Sequence, residues 1–270
     1  MSHDISLNIN TDVSLVSPYE FCKLSKWRYC PYYGNNLNPE LIEEDDIVFL
    51  NLDYFIQFIH IVTINKPKHK FILIIHNSYI MFNHTHFELL FNMVNHIYTI
   101  NSGLIHPSIS CIPMGFIDNK YISHNLFFQI LNKNKKKDIL LYSNFQLNKN
   151  KQTRIECLNS FIGKPWVHKD QTIPFEQYLK KIHRSKYILA PEGKTMDTHR
   201  IYTAIFFNTI PIIKKSEMNY FYMLFPIILV DSWNDITYNF LDKNYENFYQ
   251  KFMEWKHINH RWMYTDFWIK

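Results

Sequence analysis

A chain of 270 residues can build one large domain or two small ones. Hydrophobic residues make up 47% of it and charged residues 20%, which excludes a disordered polymer. The formal net charge of +5 is a mild excess that fits an anionic small ligand such as a nucleotide as well as it fits nucleic acid, and the basic residues are dispersed.

The first ten residues, Met1 to Asn10, are polar and lack the apolar core of a secretory signal. Asp46 to Asn51, "DIVFLN", is a β-rich run, and "LDYFIQFIHIVT" after it has helical spacing of apolar residues. "KFILIIHN", Lys70 to Asn77, is a buried-strand candidate. Within Thr85 to Asn95, Phe87, Leu90, Phe91 and Val94 share one helix face. The strands "HIYTI" and "SISCIPMG" follow. This alternation is that of a parallel α/β sheet. Asp118-Asn119-Lys120 reads as a turn, and the run Lys133-Asn134-Lys135-Lys136-Lys137 reads as a solvated linker.

The alternation restarts at "DILLYSN", Asp138 to Asn144. A helix from about Lys151, the strand "WVHK", a helix with Pro174 at its first position, and the strand "KYILA" follow. A polar patch then leads into a helix from about Thr198 to Phe207. The strand "TIPII", a helix over Ser216 to Leu224, the strand "PIILVD" and an aromatic, helical C-terminal tail complete the chain. The expected fold is α/β: two Rossmann-like domains in tandem, residues 1–125 and 126–255, with the aromatic tail 256–270 docking across them. The four cysteines, Cys22, Cys30, Cys111 and Cys157, form no CxxC pair and no zinc spacing; they read as reduced thiols. No apolar stretch approaches the ~20 residues of a membrane helix. A cytoplasmic protein without a membrane span is the expectation.

The polar patch, Pro191 to Arg200, follows the end of a strand, and in a parallel sheet that is the ligand side. Asp197 is a plausible N-cap for the next helix. The first turn of that helix offers free N–H groups and a positive dipole end to a phosphate, with His199 and Arg200 beside them. Gly193 either lets the backbone approach a ligand or takes a positive φ. The competing reading is an ordinary βα loop with Arg200 paired to Glu192 or Asp197. A second loop, Leu141 to Arg154, brings Asn144, Asn148, Lys149, Lys151 and Arg154 to the same sheet edge. Two such loops favour a basic pocket.

The run "SKYILAPEGKTMDTHRIYTAIFFNTIPII", with "FPIILVDSWNDIT" after it, resembles the C-terminal half of exostosin-like glycosyltransferases. Their pattern is strand, Pro-x-Gly, polar loop, Asp-Thr-His-Arg, helix, a Thr-Ile-Pro strand and a later Val-x-x-Trp. "FILIIHNSY" and "CIPMGF" are similar to the acceptor-side half. The resemblance implies two Rossmann-like domains facing across a cleft (GT-B architecture). It also implies inverting transfer from a nucleotide-diphosphate sugar to an acceptor hydroxyl of a glycan or glycoconjugate, with no metal or other cofactor. Arg200 and Arg154 would then hold the diphosphate. Asn144, Glu192, Gly193, Lys194, Asp197, Thr198 and His199 would complete the nucleotide-sugar site. The chain departs from the pattern at Thr203, where relatives often carry an acid, at Asn208, where they often have Gly, and at Tyr79, where an acid commonly follows His-Asn-Ser.

Inverting transfer needs donors for the charge on the departing diphosphate, each typically worth ~10²–10³ in rate, and a general base for the acceptor hydroxyl. Arg200 meets the first need as a catalytic residue. Asp53 and His76, both at the carboxyl ends of strands, are the two candidates for the base. Asp53 as a helix cap and His76 as a bonded core residue are the alternatives. His84, His86 and His96 match no metal-ligand spacing.

Overall fold

The computed structural model describes residues 14–133 and 135–269; the polar N-terminal stretch read above, together with Asn134 and Lys270, lies outside them. In chain order, α1 is Pro18–Lys23, β1 Trp27–Cys30, β2 Gly34–Asn35, β3 Ile47–Leu50, α2 Phe55–Ile64, β4 Phe71–Ile75, α3 His84–Leu90, β5 Val94–Thr99 and β6 Ile109–Cys111. After α4, His124–Leu131, come β7 Ile139–Ser143, α5 Lys151–Asn159, β8 Val167–Lys169, α6 Phe175–Arg184, β9 Ser185–Leu189, α7 His199–Phe206, β10 Ile210–Lys214, α8 Asn219–Tyr222, β11 Ile228–Val230 and α9 Tyr238–Ile258.

These strands form two sheets. The first has the order β2-β1-β3-β4-β5-β6 and is parallel except for the short edge strand β2. The second, β11-β10-β9-β7-β8, is parallel throughout. Parallel strands covered on both faces read as unbroken apolar runs, and "FILII" of β4 and "IPIIK" of β10 are such runs, buried along nearly their whole length. The two sheets differ in winding. The first steps in one direction from β1 to β6. The second reverses: β7 pairs with β8 on one side and with β9 on the other. That reversal is a topological switch point, where the two crossovers part and leave a crevice.

Several expected boundaries shift. The apolar face read over Thr85 to Asn95 is cut short, because α3 ends at Leu90 and Val94 already pairs with Phe71 in the sheet. The helix expected over Ser216–Leu224 is the single turn α8. Pro174 sits one position before α6, with an extended ψ of 142°. Before β3 the structure adds α1, β1 and β2, which no periodicity in the sequence marks.

The halves are joined at several points. Val16 N–H donates to Met263 O at 2.8 Å, and Phe116 N–H to Val16 O at 2.7 Å. Trp262 is fully buried, its ring centroid 5.9 Å from that of Phe116 and 6.0 Å from that of Trp255. Gly115 has φ +70°, and a Cβ there would stand 2.3 Å from Val16 O, so only glycine fits this crossing. Helix α4 packs its Phe127 on Phe206 and Phe207 at the end of α7.

Candidate functional site

A cleft of about 890 Å³ opens at the carboxyl ends of β7 and β8 and the start of α7, at the switch point of the second sheet. Among the described residues its walls are of two kinds. Arg154, Arg200, His199 and Thr198 make a polar, cationic end; Leu158, Ile173, Phe175 and Tyr178 make an apolar and aromatic wall.

Helix α7 is built to present its start to the cleft. Its N-cap is Thr198, in extended conformation, not Asp197 as the sequence suggested. The Thr198 side chain makes no cap bond, and its hydroxyl is buried without a partner. At the other end, Lys256 Nζ donates to the carbonyls of Ile205 and Phe206 (both 3.2 Å), and Lys137 Nζ to Phe207 O at 2.8 Å. These donors close the last carbonyls of the helix, although burial lowers the pKa of both lysines, that of Lys256 to about 7; the open N-terminus leaves the positive end of the helix dipole facing the cleft, where an anion is favoured. Asn208, which stands where relatives often have glycine, ends this helix at φ +55°, a conformation that asparagine tolerates better than most residues. Its Oδ1 accepts from Lys256 Nζ at 2.5 Å.

Arg154 and Arg200 converge on one aromatic ring. Their guanidinium carbons lie 5.9 and 5.8 Å from the Phe145 centroid. Arg154 is 5% exposed; its Nε donates to Glu192 O at 2.8 Å and its Nη1 to Gln146 O at 2.5 Å. Arg200 Nη2 donates to Asn144 O at 2.9 Å, and its Nε is buried without a partner. Among the described residues neither arginine has a carboxylate within 4.0 Å. The structure therefore lacks the pairing of Arg200 with Glu192 or Asp197. Burial, and after it the charge of Arg200, pull the pKa of Arg154 down to about 10, still well above neutrality. Two like charges held together by carbonyls alone are a site that an anion would stabilise.

Gly193 serves this arrangement from beneath. Its φ is not in the left-handed region; a Cβ there would lie 3.2 Å from Arg154 Nη2. The glycine clears space for a guanidinium rather than making an unusual turn. Glu192 reaches Arg154 only through its backbone carbonyl, and burial raises its carboxyl pKa. Lys194 lies outside the cleft, with Nζ 4.3 Å from the ring centroid of Tyr79 in the first domain.

Asp197 is a clamp between domains and does not line the cleft. It is fully buried. Its Oδ2 accepts from Met114 N–H at 2.8 Å and from Tyr202 Oη at 2.5 Å, its Oδ1 from Thr198 N–H at 2.8 Å, and its own N–H donates to Asn101 Oδ1 at 2.9 Å. Burial pushes its pKa up to about 7. His199 lines the cleft while its Nδ1 bonds Gly115 O at 2.7 Å, a second tie to the first domain. Thr203 also lines the cleft, but its hydroxyl is turned back to donate to His199 O at 2.9 Å.

The two candidate bases separate. His76 is fully buried, with Nδ1 accepting from Asn77 N–H at 2.7 Å and Nε2 donating to Pro113 O at 3.1 Å. Burial takes its pKa down to about 4. Both nitrogens are engaged, so its expected catalytic role is corrected to that of a bonded core residue joining β4 to the segment after β6. Asp53 is exposed in the short 3-10 turn after β3, capped by Asn51, and its Oδ1 accepts from Ser78 Oγ at 2.6 Å. The polar patch thus divides: Thr198, His199 and Arg200 meet Asn144 and Arg154 of the second loop at the cleft, while Glu192, Gly193, Lys194 and Asp197 support it or join domains.

The sequence reading missed the loop after β8. Asp170 lies in the cleft wall there, with Lys169, Gln171 and Thr172. Asn144 Nδ2 donates to Gln171 O at 2.8 Å, which ties this loop to the one after β7. The signal was available: "DQTI" follows a strand of the same parallel sheet, on the same edge. Among the described residues no helix is long and apolar enough to cross a membrane, and no group of three or more His, Cys, Asp or Glu side chains is arranged to hold a metal ion.

No curated protein matches the chain. Among solved structures, it is similar to the pneumococcal O-GlcNAc transferase GtfA in complex with UDP and GlcNAc, at 12% identity over 81% of this chain and 51% of that one, with a TM-score of 0.40. It is also similar to the UDP-GlcNAc 2-epimerase of Methanocaldococcus jannaschii, at 9% identity over 77% of this chain and 68% of that one, with a TM-score of 0.36. The chain thus spans about half the length of the transferase. The family described as the RXYLT1 C-terminal domain matches over residues 117–269, more than half of the chain, and includes the second sheet, the cleft and both arginines. This match makes the chain a member of the RXYLT1 C-terminal domain family, in line with the exostosin-like resemblance of its sequence.

Proposed function

We propose that this protein is a glycosyltransferase that takes a sugar from a nucleotide diphosphate and delivers it, with inversion, to a hydroxyl of a glycan or glycoconjugate. One observation carries the reading: Arg154 and Arg200 stand at the cleft with no carboxylate of the described residues within 4.0 Å, beside the open start of α7. Fixed cations and helix N–H groups of this kind stabilise a departing diphosphate without needing a metal to do so. In this reading the diphosphate lies against both guanidiniums and the N–H groups of His199 and Arg200. The Thr198 hydroxyl, now unpartnered, gains an acceptor. The nucleoside lies along Tyr178 and Phe175.

The acceptor comes from the side of the first domain. With His76 sealed, Asp53 is the group proposed to take the hydroxyl proton; Ser78 orients its carboxylate. As the proton moves to Asp53, the acceptor oxygen attacks the anomeric carbon from the face opposite the leaving group, and the diphosphate leaves toward the arginines. A second reading has a specific observation in its favour: one of the two candidate bases, His76, is locked in the core, which suits a protein that binds a nucleotide sugar without transferring it. Slow hydrolysis of the sugar nucleotide in the absence of acceptor separates the two, because a competent site turns over and an inert one does not.

The binding step is tested by thermal shift with uridine, guanosine and thymidine diphosphates. A ligand at ~100 times its dissociation constant adds ~2.7 kcal/mol of stability. A rise with one diphosphate and a smaller one with its monophosphate support the reading. No rise with any of them contradicts it.

A further inference from the structure

The cleft has a chemical anomaly. Among the described residues that line it, Asp170 is the one carboxylate, in a wall otherwise cationic, neutral or apolar. A wall built only to collect anions would exclude it. The structure instead fixes it in place. Tyr142 Oη, on a fully buried side chain, donates to Asp170 Oδ2 at 3.0 Å. Lys181 Nζ is 4.0 Å from Oδ2, and His168 Nε2 is 3.3 Å from Oδ1. Lys181 Nζ is also 2.8 Å from His168 Nε2; the ammonium can only donate, so that nitrogen serves as the acceptor and has no proton to give Oδ1. A carboxylate offers about four acceptor positions, and most of those of Asp170 remain open.

Its location is bounded from two sides. Toward the cationic end, Asn144 links it to the arginines: Asn144 Nδ2 lies 3.4 Å from Asp170 O, and Asn144 O accepts from Arg200. Toward the aromatic wall, Tyr142 links it to Tyr178, their ring centroids 6.2 Å apart. Asp170 therefore stands between the place for a diphosphate and the place for a base. In a nucleoside diphosphate that interval is the ribose, whose vicinal hydroxyls are two donors.

We propose that Asp170 accepts hydrogen bonds from the ribose hydroxyls of the bound nucleotide, and so makes the site specific for ribonucleoside over deoxyribonucleoside diphosphates. This rests on the donor-site reading above. Tyr142 and Lys181 are positioning residues: Tyr142 holds Oδ2 by a hydrogen bond, and the Lys181 ammonium stands 4.0 Å from it.

The test is calorimetric titration of the native chain with uridine and guanosine diphosphates and with the 2′,3′-dideoxy counterpart of whichever binds more tightly. The native chain is expected to favour the ribonucleotide by roughly 10- to 100-fold, the range for hydrogen bonds to a charged acceptor. Asp170→Ala should bring that ratio to within about 3-fold. Asp170→Asn, which keeps the shape and one acceptor oxygen, should fall between. Both should leave the affinity for the dideoxynucleotide nearly unchanged, which a merely structural role for Asp170 would not do. The ratio in the native chain needs no variant, so a misfolded substitution does not remove the test. If neither ribonucleotide binds, the donor-site reading falls and this inference with it. If the native chain binds ribo and dideoxy forms alike, or the Asp170→Ala chain keeps the ratio, the inference alone is overturned.

Discussion

The carboxyl edges of the two sheets both carry polar side chains and use them differently. On the first, most polar groups satisfy one another: Ser78 on Asp53, Asn77 and Pro113 on His76, Asn51 Nδ2 on Asn77 O at 2.8 Å, with Asn101 Nδ2 left without a partner. On the second, Thr198 Oγ1 and Arg200 Nε are buried without partners at the cleft, and among the described residues two guanidiniums have no carboxylate within 4.0 Å. Buried polar groups are nearly always paired, so two unpaired ones beside two uncompensated cations call for an explanation. Strand order supplies the geometric half of it. The second sheet reverses direction between β8 and β9 and so has a crevice; the first runs one way and has none. A scaffold closes its hydrogen bonds internally, and a binding edge leaves them for the ligand.

The largest effect that would break this contrast is Arg200→Ala. We expect transfer or donor hydrolysis to fall by roughly 10²–10³, with the thermal midpoint little changed, because the guanidinium makes a single bond to a carbonyl. Steady-state kinetics and a melting curve read both. Full activity would show that the unpaired edge is not the site.

Next is Asp197→Ala. It leaves Met114 N–H, Thr198 N–H and the Tyr202 hydroxyl unpaired in a buried place, and should cost about 2–4 kcal/mol in denaturant unfolding. A loss below ~1 kcal/mol would contradict its role as a clamp. Its titration has a definite sign. The folded pKa is about 7 against 3.8 for the free group, so the folded chain holds the proton longer. The contribution of Asp197 to stability is full below pH 4 and fades as pH rises through 7. Stability measured across pH 4–8 should decline in the native chain relative to Asp197→Asn; parallel curves would refute the shift.

A smaller effect is expected of Gly193→Ala. The added methyl group meets Arg154 Nη2 at 3.2 Å. It should displace that guanidinium and weaken diphosphate binding by roughly 3- to 10-fold, while unfolding free energy changes by less than ~1 kcal/mol. Calorimetric titration beside a denaturant curve distinguishes this from the reverse pattern, which a purely conformational glycine would give.

Much of this architecture was legible in the sequence, because parallel strands advertise themselves as apolar runs. "FILII", "ILLYS", "KYIL" and "IPII" all became strands. The first 40 residues were opaque because β1 and β2 are short and carry little periodicity. The polar patch was recognised as a unit, but its division of labour was hidden. Asp197 and Arg200 lie on one turn, and only the packing against Met114 and Asn101 shows that one faces the other domain while the other faces the cleft. His76 looked like a base because it ends a strand. That its Nε2 is engaged depends on Pro113, 37 residues away, while Nδ1 is held by the adjacent Asn77 N–H. Asp170 was overlooked because a lone acid after a short strand has no motif; its meaning comes from Tyr142 and Asn144 around it.

The central claim is that Arg154 and Arg200 are left uncompensated in order to hold a diphosphate. A crystal structure of the chain with the nucleoside diphosphate that raises its melting temperature most tests it directly. The account predicts phosphate oxygens within hydrogen-bond distance of both guanidiniums and of the first N–H groups of α7. A diphosphate bound elsewhere, with Arg154 and Arg200 still held only by the carbonyls of Glu192, Gln146 and Asn144, would contradict it.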